Sequence, residues 1–128
     1  MTTEQNKAFV RQHFEDFVNN RNSTVIHQNM TPHFVDHDGP GGRQADATTD
    51  QKMMEAMYPS MPDLRVTIED IVAEGDKVVC RNVWTWKDAA TGKPHGISGL
   101  CRVAACGWQD RGAVGYRDGS TRARLVRR

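Results

Sequence analysis

The sequence predicts an α+β fold in which helices come first and an antiparallel sheet follows. In the first half of the chain, apolar residues recur every three to four positions, which is the period of an amphipathic helix. From Leu64 onward they alternate with polar residues, which is the period of a half-buried strand. The two patterns do not alternate as they would in a βαβ protein, so helices and sheet are expected to form separate layers.

Two helices are predicted in the N-terminal region. Residues 2–19 carry apolar side chains at helical spacing and begin with Thr2 and Gln5, which have the spacing of a capping box. An asparagine-rich stretch then ends this helix. Ser23 is placed to cap a short second helix over residues 24–30.

A third helix is predicted after a glycine-rich loop. Residues 39–42 read Gly-Pro-Gly-Gly, a composition that favours a turn or a flexible loop. Thr48 and Gln51 then repeat the capping-box spacing. Methionine and tyrosine side chains line one side of this helix, which is expected to end at Pro59.

Three strands are predicted in the second half of the chain, with a possible fourth. Residues 64–69 alternate between apolar and polar side chains, and residues 77–86 are rich in valine and tryptophan. The turn sequence at residues 74–76 joins them as an antiparallel hairpin. A third strand is expected near residues 97–104, and a fourth near residues 112–116.

Charge is distributed unevenly along the chain. The formal net charge is +1, but residues 102–128 hold seven arginines and two aspartates, which leaves the first 101 residues with a net charge of −4. A basic arm of this kind can bind nucleic acid, or it can be a solvated end of the chain. We favour the solvated end, which explains the same composition without a nucleic-acid partner.

Composition favours one soluble cytoplasmic domain over residues 1–128, with an atypical basic tail from about residue 105. No apolar stretch approaches the roughly 20 residues that span a bilayer, and the first residues lack the apolar core of a signal peptide. Cys80, Cys101 and Cys106 form no CxxC pair and are expected to be free thiols. We expect no membrane contact, no metal and no organic cofactor.

Four stretches of the sequence carry a family resemblance. They are residues 34–38 (FVDHD), the block 61–79 (MPDLRVTIEDIVAEGDKVV), residues 84–86 (WTW) and residues 91–93 (TGK). Together they resemble the SnoaL-like polyketide cyclases of the nuclear transport factor two-like superfamily. The resemblance implies a cone-shaped α+β barrel with a pocket between the helices and a curved sheet, and often a homodimer formed through the sheet. It also implies cofactor-independent aldol ring closure, with an aspartate as general acid and base.

The third strand lacks the aspartate that this resemblance implies. Residues 97–102 read ISGLCR, so the expected carboxylate falls on Gly99 or Cys101, depending on register. Two functions therefore stay open. The chain is either a cyclase, isomerase or hydrolase acting on a hydrophobic carbonyl compound, or a non-catalytic small-molecule-binding or dimeric interaction protein of the same fold.

His37 and Asp38 are the candidate catalytic residues. An imidazole, whose pKa is near neutral, can polarise a substrate carbonyl, and a neighbouring carboxylate can act as the base. However, an aspartate before Gly-Pro is also ordinary turn chemistry. Both interpretations stay open.

Six further residues are candidates for binding the hydrophobic small molecule. The two tryptophans share a strand face and suit a flat ligand, or they belong to the core or a dimer interface. The tyrosine can offer a phenol to an oxyanion, the methionines can form a soft pocket lining, and the histidine can lie at the mouth of the cavity; each is also an ordinary core or surface position. These candidates are Trp84, Trp86, Tyr58, Met54, Met57 and His95.

Overall fold

The computed structural model describes residues 2–37, 39–104, 115–116 and 121–125. The helices precede the sheet and pack against one of its faces, which confirms the α+β class. The sheet is open rather than closed into a barrel. Within the described ranges, no helix is long and apolar enough to cross a membrane.

The first helix, α1, spans Thr3–Phe14 and begins with the predicted capping box. The Thr2 hydroxyl accepts a hydrogen bond from the Gln5 backbone N–H at 3.1 Å, and the Gln5 side chain accepts one from the Thr2 N–H at 2.8 Å. These reciprocal bonds satisfy two donors that a helix start leaves unpaired.

The sequence predicts one regular helix as far as residue 19, but the α-helix ends at Phe14. After α1 the chain continues as a π-helical segment over Glu15–Asn19. This segment buries Phe17 and Val18 in the core. Its last residue, Asn19, reaches the sheet.

The second helix, α2, spans Val25–Asn29 and is not capped by Ser23 as predicted. It starts after Thr24, whose side chain makes no capping hydrogen bond. The Ser23 hydroxyl instead donates to the Glu55 carboxylate at 2.7 Å. A serine at this position therefore ties the chain before α2 to the third helix.

The glycine-rich loop folds as a small hairpin. Asp36 and Ala45 form an antiparallel bridge, with N···O distances of 2.9 and 2.8 Å. A 3₁₀ turn over Pro40–Gly42 closes it. Gly39 is buried at the base, where an added Cβ would lie 2.5 Å from the Ala45 Cβ. Only glycine fits this close approach without a shift of the backbone.

The third helix, α3, spans Ala47–Ser60, and its cap lies two residues earlier than predicted. Asp46, rather than Thr48, is the N-cap, and its carboxylate accepts a hydrogen bond from the Thr49 N–H at 2.8 Å. Asp46 directly follows Ala45, the last bridge residue of the hairpin, so the hairpin fixes where this cap lies.

Three long strands form the body of the sheet: β1 (Arg65–Glu74), β2 (Lys77–Lys87) and β3 (Pro94–Ala104). They pair antiparallel in chain order. Strand β1 contains a bulge. Ile68 pairs with Asn82, and Asp70 pairs with Arg81, the residue before Asn82, so Glu69 has no partner on β2. Glu69 is the extra residue, and it brings apolar side chains on both sides of the bulge to the core.

Two short strands pair with the other edge of β3. Strand β4 (Gly115–Tyr116) lies beside the end of β3, and strand β5 (Thr121–Leu125) lies beside its first half. Together they run along one edge of β3 in a single direction. The predicted fourth strand is present at its last two residues, and the rest of it, residues 112–114, lies outside the described residues.

The core lies between the helices and the sheet. It takes apolar side chains from every helix and from the three long strands. Its most deeply buried members include Val18, Ile26, Leu64, Val78 and Cys80.

Candidate functional site

Alternate residues of β2 and β3 turn their side chains toward the helices. We call this surface the inner face; beyond the buried Val78–Val103 pair it consists of four cross-strand pairs. The pairs are Cys80–Cys101, Asn82–Gly99, Trp84–Ile97 and Trp86–His95. Because side chains alternate along a strand, these eight residues share one side of the sheet.

Three of the predicted binding residues lie together at one end of the inner face. Trp84 meets Phe14 of α1 edge to face, with ring centroids 6.4 Å apart and planes at 87°. Trp86 stacks on His95, its cross-strand partner, at 5.5 Å and 20°. All three predicted residues are half-buried. They form an aromatic wall continuous with the core.

A polar group occupies the middle of the inner face. Asn82 is only 3% exposed, and its Oδ1 has no hydrogen-bond partner among the described residues. Hydrogen bonds from Cys101 and from Asn82 lower the pKa of the Cys80 thiol, against the opposing effect of its burial.

His13 of α1 is a second buried polar group beside this face. Its Nδ1 accepts a hydrogen bond from the Asn29 side-chain N–H at 2.9 Å, and its ring stacks on Phe17 at 5.3 Å. Burial lowers the pKa of His13 to about 4, although the Asp16 carboxylate acts in the opposite direction. The imidazole is therefore neutral at pH 7, with its proton on Nε2.

Two carboxyl groups meet where the loop hairpin packs on α3. Asp36 is the bridge residue of the hairpin and Asp50 lies in the first turns of α3; they are 9% and 5% exposed. Burial, the charge of Asp36 and a side-chain hydrogen bond between the two raise the pKa of Asp50 to about 8, and Asp46 adds to the effect. Asp50 is therefore protonated at neutral pH, and its Oδ1 has no partner among the described residues.

The predicted catalytic residues lie next to this carboxyl pair along the chain. His37 is exposed, and its Nδ1 accepts a hydrogen bond from the Gln44 side chain at 3.2 Å, across the hairpin. Asp38 lies outside the described residues. His37 follows Asp36 directly, so the solvent-facing and the buried titratable groups are neighbours.

The other predicted binding residues lie on α3. The Tyr58 hydroxyl donates to the backbone carbonyl of Phe17, and the Arg21 guanidinium lies 5.5 Å from its ring centroid. Burial raises the pKa of Tyr58 to about 12. Met54 is buried in the core and Met57 is half-buried against it. The hydrogen bond of the Tyr58 hydroxyl thus connects α3 to the π-helical segment.

Two open hollows lie elsewhere on the surface. One, of about 350 Å³, opens beside the start of α3 and is lined by residues that include His27 and Phe34. The other, of about 240 Å³, lies between α1 and β1 and is lined by residues that include Arg11 and Arg65. Neither hollow is lined by a predicted site residue.

The sequence profile of the SnoaL-like domain matches residues 10–106. This chain belongs to the SnoaL-like family. The match runs from the second half of α1 through β3 and therefore contains the inner face, the loop hairpin and the Asp36–Asp50 pair.

Solved structures of similar shape support the fold of this SnoaL-like protein. AclR from Streptomyces galilaeus, provisionally assigned as a hydroxylase, is 19% identical with a TM-score of 0.74, and the alignment covers 91% of this chain and 89% of that one. IdmH from Streptomyces antibioticus, provisionally assigned as a polyketide cyclase, is 21% identical with a TM-score of 0.74, and covers 87% of each chain. An NTF2-like protein of unknown function from Exiguobacterium is 13% identical with a TM-score of 0.66, covering 86% of this chain and 95% of that one. A comparison with curated protein sequences finds no match.

The two positions at which the family resemblance implies an aspartate both lie on the inner face of this SnoaL-like chain. Cys101 is buried opposite Cys80, and Gly99 is half-buried opposite Asn82. An amide therefore stands opposite Gly99, and a thiol stands opposite Cys101.

Sequence reasoning missed four buried polar residues: His13, Asp36, Asp50 and Asn82. Three of them could have been found from the apolar periodicity, because each occupies a position at which the pattern expects a buried apolar side chain. His13 and Asp50 fall in phase with buried residues of their helices, and Asn82 falls between Cys80 and Trp84 on the buried side of β2. A polar residue in phase with an apolar face marks either a satisfied core group or a site.

Proposed function

We propose that this SnoaL-like protein binds a hydrophobic carbonyl compound and acts on it by acid/base catalysis without a cofactor, as a cyclase, isomerase or hydrolase. The observation that carries the proposal is the buried Asp36–Asp50 pair, which holds a protonated carboxyl group at neutral pH. The aromatic wall at Trp84 and Trp86 supports an apolar ligand.

The chemistry needs both a base and an acid. An aldol closure or an enolisation removes a proton next to a carbonyl and stabilises the developing oxyanion. Two carboxyl groups that share one proton offer both forms at the same pH. In this proposal Asp36 accepts a proton and Asp50 donates one, and the sequence-predicted residues His37 and Asp38 follow Asp36 directly along the chain.

IdmH supports the reaction class, because it shares the fold and is itself provisionally assigned as a polyketide cyclase. A second candidate function is a non-catalytic binding or dimeric interaction protein. It is favoured by the absence of a carboxylate at both Gly99 and Cys101 on the inner face.

We also propose that the chain forms a homodimer through the outer face of the sheet. Val72 and Leu100 are 64% and 47% exposed there, and Val72 pairs with Val79, another outward-facing valine. Val72→Glu should lower the mass measured by sedimentation at high protein concentration. A wild type that sediments as a monomer at every concentration would contradict the dimer.

Deuterium exchange next to a ketone tests the catalytic proposal without the natural substrate. The wild type should accelerate exchange of the α-protons of tetralone in D₂O, followed by NMR. Asp50→Asn and Asp36→Asn should each lower this rate by about 10²- to 10⁴-fold. Asp76→Asn, which changes an exposed carboxylate at the β1–β2 turn, should leave the rate unchanged. Exchange no faster than in buffer would favour the non-catalytic alternative.

A further inference from the structure

The hollow between α1 and β1 lies between two irregular parts of the backbone. On one side it is lined by Glu15 and Asn19, the first and last residues of the π-helical segment. On the other side it is lined by residues of β1 as far as Ile68, the residue before the bulge. Short π-helical segments and β-bulges both recur at functional sites, where a bulge re-aims side chains. The hollow is therefore a candidate site outside the inner face.

Two arginines that line this hollow have no acidic partner within the described part of the chain. Arg11 lies in the last turn of α1 and Arg65 is the first residue of β1, and both are exposed. Neither takes part in an ion pair there, whereas Arg81, further along the sheet, is paired with Asp70. A guanidinium presents its donors in a planar fork that matches a carboxylate. Two arginines in one hollow therefore favour an anionic ligand.

The acidic residue of the lining is already hydrogen-bonded. The Glu15 carboxylate accepts a hydrogen bond from Asn19 Nδ2 at 2.7 Å. Two arginines and one glutamate give the lining a formal charge of +1. This charge suits a ligand with a single negative charge.

The hollow has an apolar floor and is small. Phe14 and Val66 are buried core residues, and Ile68 is half-buried against the core. The volume is about 240 Å³, below the roughly 300–1,000 Å³ of sites that hold drug-sized ligands. Asn19 already bonds both backbone groups of Val66, so a peptide strand cannot pair with the sheet edge at this point. The expected occupant is a small molecule with one charged end and an apolar body.

We propose that this hollow binds a small organic monocarboxylate, with its carboxylate held by Arg11 and Arg65 and its apolar body on Phe14. Inorganic phosphate would use the arginines but not the apolar floor, so it serves to distinguish a carboxylate site from a general anion site. The proposed site is separate from the Asp36–Asp50 pair and takes no part in the proposed acid/base chemistry.

Benzoate and benzamide, a neutral analogue of similar shape, test this assignment. Each is titrated into ¹⁵N-labelled protein and followed by NMR. Benzoate should shift the side-chain amide of Asn19 and the backbone amides of residues 65–68 with saturation. Benzamide should bind about tenfold more weakly or less, because it lacks the charge. Arg11→Gln and Arg65→Gln should each raise the benzoate dissociation constant about tenfold, because each removes a charged hydrogen bond.

Arg43→Gln is the matched control. Arg43 is an exposed arginine beside the loop hairpin and lines neither hollow, so its substitution removes the same charge at a distance from the site. It should leave the affinity for benzoate unchanged. The three arginines are exposed, and thermal unfolding checks that each variant keeps the fold. If one of Arg11→Gln and Arg65→Gln does not fold, the other still tests the site.

The outcomes decide both the place and the ligand class. Saturable shifts around residues 65–68, weakened by Arg11→Gln and Arg65→Gln but not by Arg43→Gln, support the proposal. No saturable shift at these residues, equal affinities for benzoate and benzamide, or an equal loss in all three variants would overturn it. Phosphate that shifts the same amides with an affinity equal to that of benzoate would overturn the carboxylate assignment. None of these results depends on whether the exchange of tetralone protons is catalysed.

Discussion

Asn19 pairs with Val66 through both atoms of its side-chain amide. Its Oδ1 accepts from the Val66 N–H at 2.8 Å, and its Nδ2 donates to the Val66 carbonyl at 3.0 Å. Strand β1 is at the edge of the described sheet, so its outward backbone groups have no strand to pair with. The asparagine takes the place of a strand residue there and fixes the π-helical segment to the sheet.

Replacing Asn19 by alanine should lower the free energy of unfolding by about 2 kcal/mol, because two backbone groups of an edge strand lose their partner. Urea denaturation measures the change. Asn20→Ala is the control, since in the described structure the Asn20 side chain bonds only the carboxylate of the half-buried Asp16. Equal effects of the two substitutions would show that the pairing with Val66 contributes nothing.

His13 should make stability fall as the pH falls. The pKa of His13 is about 4 in the folded protein and 6.5 in the unfolded chain. Between these values the unfolded chain binds more protons at this residue, so its contribution is fully present above pH 6.5 and is lost toward pH 4. His13→Gln should flatten this part of the stability profile, measured by urea unfolding at several pH values. A His13→Gln profile that falls as steeply as that of the wild type between pH 6.5 and 4 would contradict a buried, neutral His13.

Asp50 should make the stability of the protein fall as the pH rises, over a wider pH range than His13 affects. Its pKa is about 8 in the folded protein against 3.8 when unfolded, so the stability it contributes is present below pH 3.8 and is lost as the pH rises toward 8. Asp50→Asn keeps a donor for Asp36 but cannot ionise, so it should remove this loss. Above pH 6.5 the contribution of His13 is constant, and the comparison of Asp50→Asn with the wild type is then clearest. Identical melting profiles of the two proteins between pH 6.5 and 8 would count against a protonated Asp50.

Gly39→Ala should destabilise the loop hairpin. The new methyl group would lie 2.5 Å from the Ala45 Cβ and 2.9 Å from the Arg43 carbonyl oxygen, so the backbone must shift, at a cost of about 1–3 kcal/mol. Gly96→Ala is the matched control, because its nearest atom would be the Trp84 carbonyl oxygen at an ordinary 3.7 Å. Thermal unfolding of both variants measures the difference. If Gly39→Ala and the wild type had the same melting temperature, the hairpin would have to relax around the new methyl group without a cost in stability.

The sequence predicted the elements whose signal is local. The capping box at Thr2 and the strand alternation from Leu64 depend on neighbouring residues, and both are present in the structure. The start of α3 was wrong because two residues compete for the cap. Thr48 has the capping-box spacing, but the bridge between Asp36 and Ala45 brings Asp46 to the cap position first.

The candidate site was less predictable because its groups meet only in the folded chain. Asp36 and Asp50 come from a loop and a helix, and nothing in their spacing brings their carboxyl groups together. The partnership of Asn82 with Gly99 depends on the pairing register of β2 and β3, which the alternation along each strand does not specify. By contrast, the common face of Trp84 and Trp86 follows from the period of one strand.

The bulge at Glu69 means that β1 consists of two half-strands of opposite phase. If the same residues paired without a bulge, Glu69 would face Arg81, and Ile71 and Ala73 would turn toward water while Asp70 and Val72 turned inward. Substitution of Glu69, an exposed residue, is a small perturbation by comparison. Loss of Glu69 alone would leave the pairs on both sides of it unchanged, so during divergence β1 can change length at the bulge position without inverting its core face.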